Sequence, residues 1–400
     1  MLNIVQQDQL NFHYGSEPLA VADALAARLA TTAVERDQRG GHAAEERQWI
    51  KDSGLLTLTI PREFGGQGAN WATLFQVVRR LAQVDSALAH VFAFHHLQLA
   101  SIALYGNAEQ KVRFMQATVD EGLFWGNALN PLDKRVVATE NADGYELNGL
   151  KSFSSGSVGS DWMTFTAWHA PSESALIALL PSNTAGIEIR ADWDAFGQKQ
   201  TDSGTVVFTG VQLPHAFILQ APGKKPSIRA SVRAQIAQLI LANLYLGIGQ
   251  GAFAVAKQYT REFSRPWFDS GVRDAVDDPY IQHRYGELWL MLRPAEMLVD
   301  HAAQRLDETL ALGEAIQVDD RGALAIAVAE AKCLAHKAGL EVSSQMFELA
   351  GARATSSKFG LDRFWRNIRV HTLHDPIDYK LRDVGRYALC DTYPEATPYS

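Results

Sequence analysis

The sequence predicts a mainly helical protein with a β-domain at its centre. An N-terminal helical domain leads into a middle β-barrel or sandwich, and a C-terminal four-helix bundle follows. Three observations carry that prediction. Apolar residues recur at helical spacing from Ser16 to about Val119, and again from about Ser231 to Leu389. Between them, from about Phe124 to Leu219, short runs rich in β-branched and aromatic residues alternate with turns. The length, 400 residues, is more than one small core organises, so two or three packed subdomains are expected. The expected boundaries are 1–122 (helical), 123–228 (β) and 229–400 (bundle and tail).

In the first part, Leu19, Val21, Leu25, Ala26, Leu29 and Ala30 form one helical stripe, and Gly40-Gly41 closes that segment. Residues 61–68 hold Pro61, Gly65, Gly66 and Gly68 and read as a loop. Helical spacing resumes at Leu74, Val77, Val78 and Leu81 and runs on to Leu104. In the middle part, strands are expected at 145–149, 161–168, 175–180 and 204–208. In the last part, 234–260, 279–312 and 321–349 read as three long helices, a length and apolarity that suit a bundle.

Composition excludes several classes. Hydrophobic residues make up 47% and charged residues 20%, a globular mix and not a disordered one. The net charge of −8, from 37 basic and 45 acidic residues, argues against a nucleic-acid-binding footprint. Two cysteines, Cys333 and Cys390, supply neither a disulfide framework nor a four-thiolate metal site, and a reducing cytoplasm is the simplest compartment. The start, Met1 to Asp8, lacks the basic-then-apolar order of a signal peptide. The richest apolar run, 236–248, contains Gln238 and Asn243 and is too short to span a membrane.

Three glycines, Gly247, Gly249 and Gly251, mimic part of a dinucleotide fingerprint but fall in mid-helix with no strand before them. They read as a close helix contact. With Gly223-Lys224-Lys225 also lacking phosphate-loop spacing, no tight nicotinamide site is expected. Ser154, Ser155 and Ser157 are not in a nucleophile-elbow pattern. His371 and His374 are spaced to share a helix face, and His95-His96 adds two more imidazoles. A metal would need a third ligand, for which the only sequence neighbour is Asp375. Metal binding, a structural role and acid–base chemistry all remain open for these histidines on residue type alone.

The stretch Phe364-Trp365-Arg366-Asn367-Ile368-Arg369-Val370-His371-Thr372-Leu373-His374-Asp375-Pro376 resembles the dibenzothiophene monooxygenase family. These are two-component flavin monooxygenases on the acyl-CoA dehydrogenase fold. Phe124-Trp125-Gly126-Asn127, Lys151-Ser152-Phe153-Ser154-Ser155-Gly156, the segment 197–204, the segment 236–248, Arg265-Pro266-Trp267 and Gly351-Ala352-Arg353 extend the resemblance over about residues 15 to 395. Acyl-CoA dehydrogenases proper use a carboxylate base, in many of them a Glu before Gly-Thr. This chain has His374-Asp375-Pro376-Ile377 in the comparable region, and only Asp375 could take that part. Their Gly-Ser-Asp ending ahead of the β-domain is replaced by Asn130-Pro131-Leu132-Asp133.

The resemblance implies an FMNH2-dependent monooxygenase working through a C4a-(hydro)peroxyflavin. FMN would arrive reduced from a separate NAD(P)H:FMN reductase, and the protein would be a cytoplasmic homotetramer with no resident metal. His374, Ser155 and the substrate-side His95 match the family's catalytic positions. Asn127, Ser155, Trp193, Arg265, Arg353 and His374 match its cofactor contacts, the arginines near the phosphate and often from a neighbouring subunit. The implied substrate is a small organosulfur compound, with an alkanesulfinate such as methanesulfinate, oxidised to the sulfonate, as the specific expectation. The alternatives are an aromatic sulfide or thiophene, or an acyl-CoA dehydrogenase using Asp375. The tail from Asp391, with Tyr393, Pro394, Pro398 and Tyr399, is expected to cover the pocket mouth or a partner subunit.

Overall fold

Short polar side chains punctuate the first third of the chain into separate helices. The computed structural model describes residues 17–400, so the Met1–Asp8 stretch lies outside the described residues. Six α-helices come first: α1 (Pro18–Ala30), α2 (Ala33–Arg39), α3 (Ala44–Asp52), α4 (Trp71–Ala82), α5 (Ser86–Tyr105) and α6 (Ala108–Glu121). The single periodic run expected through Leu104 is two helices, because the Asp85 carboxylate accepts from Leu88 N and starts α5 afresh. Asn107 and Gln110 close a capping box at the start of α6, and Gly122, at φ 63°, ends it. The first stripe is likewise split: α1 stops at Ala30, ahead of Gly40-Gly41. The 61–68 loop contains one 3-10 turn, Arg62–Phe64.

Eight strands follow: β1 (Trp125–Ala128), β2 (Val137–Asn141), β3 (Gly144–Lys151), β4 (Trp162–His169), β5 (Ser174–Pro181), β6 (Ile187–Ile189), β7 (Val206–Pro214) and β8 (Ile218–Gln220). They form one mostly antiparallel sheet in the order β6-β7-β3-β2-β4-β5-β8, with β1 added parallel to β4. Alternation sorts each strand between two cores. Met163, Phe165 and Ala167 of β4, with Leu176, Ala178 and Leu180 of β5, fill the sheet's own core. The intervening Ile177 and Leu179 meet Ile102 of α5 and Phe114 of α6 in a second cluster, which cements the sheet to the first helices. β1, β2, β6 and β8, not among the expected strands, are three to five residues long. Strands this short give too few alternations to be read from sequence.

The rest is helical: α7 (Ile228–Ser231), α8 (Arg233–Glu262), α9 (Pro279–Ala311), α10 (Val318–Ala350), α11 (Asp362–His371) and α12 (Ile377–Cys390). One apolar cluster joins α8, α9 and α10 to α1, α4 and α5, so the two helical regions share a core. By length and composition α5 and the segment Ile228–Glu262 could each cross a membrane, which corrects the reading of 236–248 as too short. Their apolar windows are 89% and 78% buried in this fold, and their hydrophobicity is that of core helices. The three glycines of α8 lie against neighbouring backbone. A Cβ on Gly247 would sit 2.6 Å from Arg79 O, one on Gly251 2.1 Å from Gln83 O, and one on Gly249 3.1 Å from Gly339 Cα.

This contact yields a prediction. Gly251→Ala gains about 1 kcal/mol of helix propensity but forces α4 and α8 apart, at a cost of roughly 1–3 kcal/mol. It should lower the urea midpoint. Gly385→Ala on α12, where an added Cβ meets nothing within 4 Å, should raise it instead. Equal effects from the two substitutions would contradict the packing argument.

Candidate active site

Two loops of the β-domain, strand β1 and the end of α11 bring Ser155, Asn127 and His374 into one region of the fold. The first loop leaves β3 through Phe153, which is exposed and held at φ 57°, and Gly156 at φ 69°. A Cβ on Gly156 would lie 3.2 Å from Val91 Cγ1, so this turn is pressed onto α5. Ser155 is buried between them. Its hydroxyl shares a 2.8 Å hydrogen bond with Ser203, whose hydroxyl is 2.8 Å from that of Thr201. Asn127 on β1 lies alongside: its backbone N–H donates to Ser155 O at 2.9 Å. The Asn127 side-chain oxygen accepts from Leu129 N at 3.3 Å, the turn role that residue type alone suggests. Its amide NH2 makes no hydrogen bond to the described residues.

The second loop, 197–203, is tied to the helices by Gln198, which sequence reading passed over. Gln198 sits at φ 54°, about 1% exposed. Its N–H donates to Asn367 Oδ1 on α11 at 2.7 Å, and its amide donates to Ser86 Oγ on α5 at 2.9 Å. One helical turn beyond Asn367 lies His371; one turn beyond Ser86 lies His90. The two imidazoles come together with ring centroids 4.8 Å apart. Both nitrogens of His90 and Nε2 of His371 are buried without a partner, as is Gln198 Oε1. Buried polar atoms are nearly always bonded, so a group of orphans marks a surface built for a polar ligand. Burial, then the charge of His374, pushes the His371 imidazole down to about 3. The same two causes, with His371, hold His90 well below its ordinary value. Both rings are neutral at physiological pH.

His374 lies in the turn after α11. Its Nδ1–H donates to Asp375 Oδ1 at 2.9 Å. That bond fixes the ring and leaves Nε2 outward, with 38% of the side chain exposed. Asp375 is held in turn by Lys332 of α10, whose ammonium donates to both carboxylate oxygens at 2.6 and 2.8 Å and to Gln238 Oε1 of α8 at 2.5 Å. Burial works to raise the Asp375 carboxyl, but the His374 hydrogen bond and the Lys332 charge outweigh it, and the group stays far below the usual carboxylate range. A carboxylate so held is a poor proton acceptor, which argues against the acyl-CoA dehydrogenase alternative. The tail closes over this corner. The Tyr399 ring packs edge-on to His374 at 5.8 Å, its carbonyl accepts from Lys380 at 2.5 Å, and Pro394 O accepts from Arg321 at 3.1 Å.

The remaining expected residues fall elsewhere. His95 does not join the group. It is fully buried, its Nε2–H donates to Leu56 O at 2.8 Å and its Nδ1 accepts from Trp125 N at 3.2 Å, so neither nitrogen can reach a ligand. His96 is similarly spent on Leu55 O and Thr59. This pair anchors the Leu55–Thr57 turn to α5, and the imidazole that faces His371 is His90. Trp193 is half-buried; its indole N–H donates to Gln198 O at 2.9 Å and its ring meets Phe153 edge-on at 5.8 Å. Arg265 is exposed, without an ion pair among the described residues. Arg353 is exposed too and donates to Phe263 O at 2.7 Å. Arg265 follows the end of α8 and Arg353 the end of α10, and Trp267 and Phe268, close to Arg265 in the chain, are exposed.

The neutral His371 makes stability pH-dependent in a defined sense. Its folded pKa, about 3, lies below the unfolded value near 6.5, so the unfolded chain takes up the proton first. Stability should therefore fall as pH drops below 6.5 and continue falling toward 3. Replacing the ring by His371→Gln should shrink the loss of unfolding free energy between pH 7.5 and 5.5 by roughly 1 kcal/mol. An unchanged slope in urea titrations would assign that loss to other groups.

Comparison with known proteins matches this arrangement to one family. Residues 19–121 match the acyl-CoA dehydrogenase N-terminal domain and residues 239–379 the acyl-CoA dehydrogenase C-terminal domain. The chain is 46% identical to the probable FMNH2-dependent monooxygenase SfnC of Pseudomonas putida, covering 96% of this chain and 97% of the relative. The structure of methanesulfinate monooxygenase MsuC from Pseudomonas fluorescens superposes with a TM-score of 0.95 at 45% identity, over 96% of this chain and 100% of that one. FMN-bound TdsC from Paenibacillus sp. A11-2, a dibenzothiophene monooxygenase, gives a TM-score of 0.92 at 40% identity over 96% and 100%. With that identity along nearly its whole length, the chain belongs to the dibenzothiophene monooxygenase family, flavin-dependent monooxygenases built on the acyl-CoA dehydrogenase fold.

Proposed function

We propose that this enzyme uses FMNH2 and dioxygen to oxidise a small organosulfur anion, an alkanesulfinate, to the sulfonate. The observation that carries this reading is the group of buried, unpartnered polar atoms on His90, His371 and Gln198. Such a lining rewards a compact polar substrate. A thiophene would leave those groups desolvated and unbonded.

The residues present fit FMN. The free amide of Asn127 and the hydroxyl of Ser155 suit the polar edge of a flavin ring, and Phe153 with Trp193 supplies an aromatic wall. Arg265 and Arg353 suit the phosphate, reached across a subunit contact. The exposed Trp267, Phe268, Leu290 and Met297 support a homotetramer in which that contact forms. Reduced FMN, when bound, supplies the electrons and activates dioxygen. A separate NAD(P)H:FMN reductase provides it, since no nicotinamide fingerprint is present in the sequence.

The protein's own part is to position, protonate and keep water out. Asp375 fixes the tautomer of His374, so His374 Nε2 is the atom that holds or delivers a proton. His90 and His371, both neutral, donate from an N–H to the substrate without adding charge. Tyr399 shields His374 from solvent on the tail side.

Coupled assays with FMN, NADH and a flavin reductase, read by mass for one added oxygen, test the reaction. Methanesulfinate should be converted in preference to dibenzothiophene, and the reverse preference would overturn the substrate assignment. In the same assay His374→Ala should keep its fold and FMN binding but lose about 10²–10⁴-fold in coupled product. Full specific activity would remove His374 from the mechanism.

Deleting residues 391–400 tests the shield. The truncated enzyme should release more hydrogen peroxide per NADH consumed. Unchanged coupling would reduce the tail to a structural strap on α10 and α12.

A further inference from the structure

Three buried hydroxyls stand in one line, with Ser155 at its end. Ser155 Oγ lies 2.8 Å from Ser203 Oγ, Ser203 Oγ lies 2.8 Å from Thr201 Oγ1, and Thr201 Oγ1 lies 3.0 Å from the carbonyl oxygen of Gln198. Two oxygens at such a distance either share a proton or repel. A hydroxyl has one proton to give, and a carbonyl has none. Thr201 therefore donates to Gln198 O. Toward Ser203 it can then only accept, so Ser203 donates to Thr201. Ser203 in turn can only accept from Ser155, and Ser155 donates to it. Thr201 O also lies near Ser203 Oγ, but at 3.5 Å it cannot draw the proton out of a 2.8 Å contact. The chain runs in one direction, and Ser155 Oγ is left with lone pairs alone.

The backbone around the line is held firmly enough to keep that order. Gly156 N–H donates to Thr201 O at 2.8 Å and Ser154 N–H to Gly204 O at 3.1 Å, which ties the loop after β3 to the 197–203 loop. Asp202, at φ 48°, accepts from Arg47 at 3.1 Å and from the His42 ring at 2.8 Å. The Gln198 carbonyl that ends the line accepts from the Trp193 indole as well, at 2.9 Å.

We propose that Thr201 and Ser203 are positioning residues that make the Ser155 hydroxyl an obligate acceptor, and that this direction selects the reduced flavin. N5 of reduced FMN carries a hydrogen and donates. N5 of oxidised FMN carries a lone pair and only accepts. An acceptor-only Ser155 bonds the first and meets the second lone pair to lone pair, so the discrimination has both an attractive and a repulsive half. The proposal rests on the reading above that the Ser155 hydroxyl meets the polar edge of FMN, and it adds what directs that hydroxyl.

Anaerobic titration with dithionite-reduced FMN, beside titration with oxidised FMN, tests this without turnover. Wild type should bind reduced FMN more tightly. Thr201→Val keeps the side-chain shape and leaves Gln198 O its Trp193 donor, but it frees Ser203 to donate to Ser155 and Ser155 to donate onward. Oxidised FMN should then bind about 3- to 10-fold more tightly, the worth of one neutral hydrogen bond, with affinity for reduced FMN little changed. Ser203→Ala should act in the same direction. A gain for one redox form is a result that mere loosening of the loop does not produce. Ser155→Ala should weaken reduced FMN about 3- to 10-fold, and adding Thr201→Val to it should bring no further gain for oxidised FMN. Equal binding of both forms by wild type would overturn the assignment. So would folded Thr201→Val and Ser203→Ala proteins whose affinities for the two forms are unchanged or equally weakened, while a loss in Ser155→Ala would still leave Ser155 at the flavin. Unchanged affinity for reduced FMN in Ser155→Ala would instead sink the placement of that hydroxyl at the cofactor, and the proposal with it. Neither titration contains a sulfur compound, so methanesulfinate oxidation is judged separately.

Discussion

The ammonium of Lys332 and the carboxylate of Asp375 meet in the interior, where an unmatched charge would cost several kcal/mol. Lys332 comes from α10, its other acceptor Gln238 from α8, and Asp375 from the turn between α11 and α12. None of the three elements can shift without uncovering a charge. The pair therefore fixes where α11 ends, and with it the direction in which His374 points. An apolar contact of the same size would hold the helices together but would not set the tautomer of a neighbouring imidazole. The interaction is weak evidence for extra stability and strong evidence for orientation.

The same logic recurs at Gln198. Its positive φ is a strained conformation for a residue with a side chain, a cost of order 1–3 kcal/mol that the surrounding bonds must offset. What the strain provides is reach: one side chain and one N–H tie the β-domain loop to α5 and α11. His90 and His371 each lie one turn beyond an anchor point. The site is thus a meeting of three regions, and each contributes atoms that make no sense within its own region: orphaned imidazole nitrogens, an unbonded asparagine amide, a half-exposed tryptophan.

Much was legible beforehand. The three long helices appear within a few residues of their expected ends, because apolar spacing over eight or nine turns leaves little freedom. The glycines of α8 were read as a close helix contact, and α4 and α10 supply the contacting backbone. The four longer strands were visible as short runs rich in β-branched and aromatic residues bounded by turns. Lys332 carried a usable signal: it occupies the apolar face of α10, and a lysine there needs a buried acid. His90 carried none, since a histidine in an apolar helix reads as core.

Residue spacing and the motif around His371 and His374 were enough to determine the order of helical and β regions, and the family resemblance they carry pointed to the flavin-dependent chemistry confirmed by comparison. Those properties are local, because helical and strand periodicity and short motifs are written within a few turns of chain. Which histidine stands beside His371 was not local. His90 and His95 lie on one helix, less than two turns apart, and composition treats them alike. Only the packing of α5 against the Leu55–Thr57 turn and β1 spends both nitrogens of His95, while its packing against α11 leaves both of His90 unbonded. The charge state of Asp375 was decided the same way, by its distance from Lys332, forty-three residues earlier in the chain, which no spacing along it encodes.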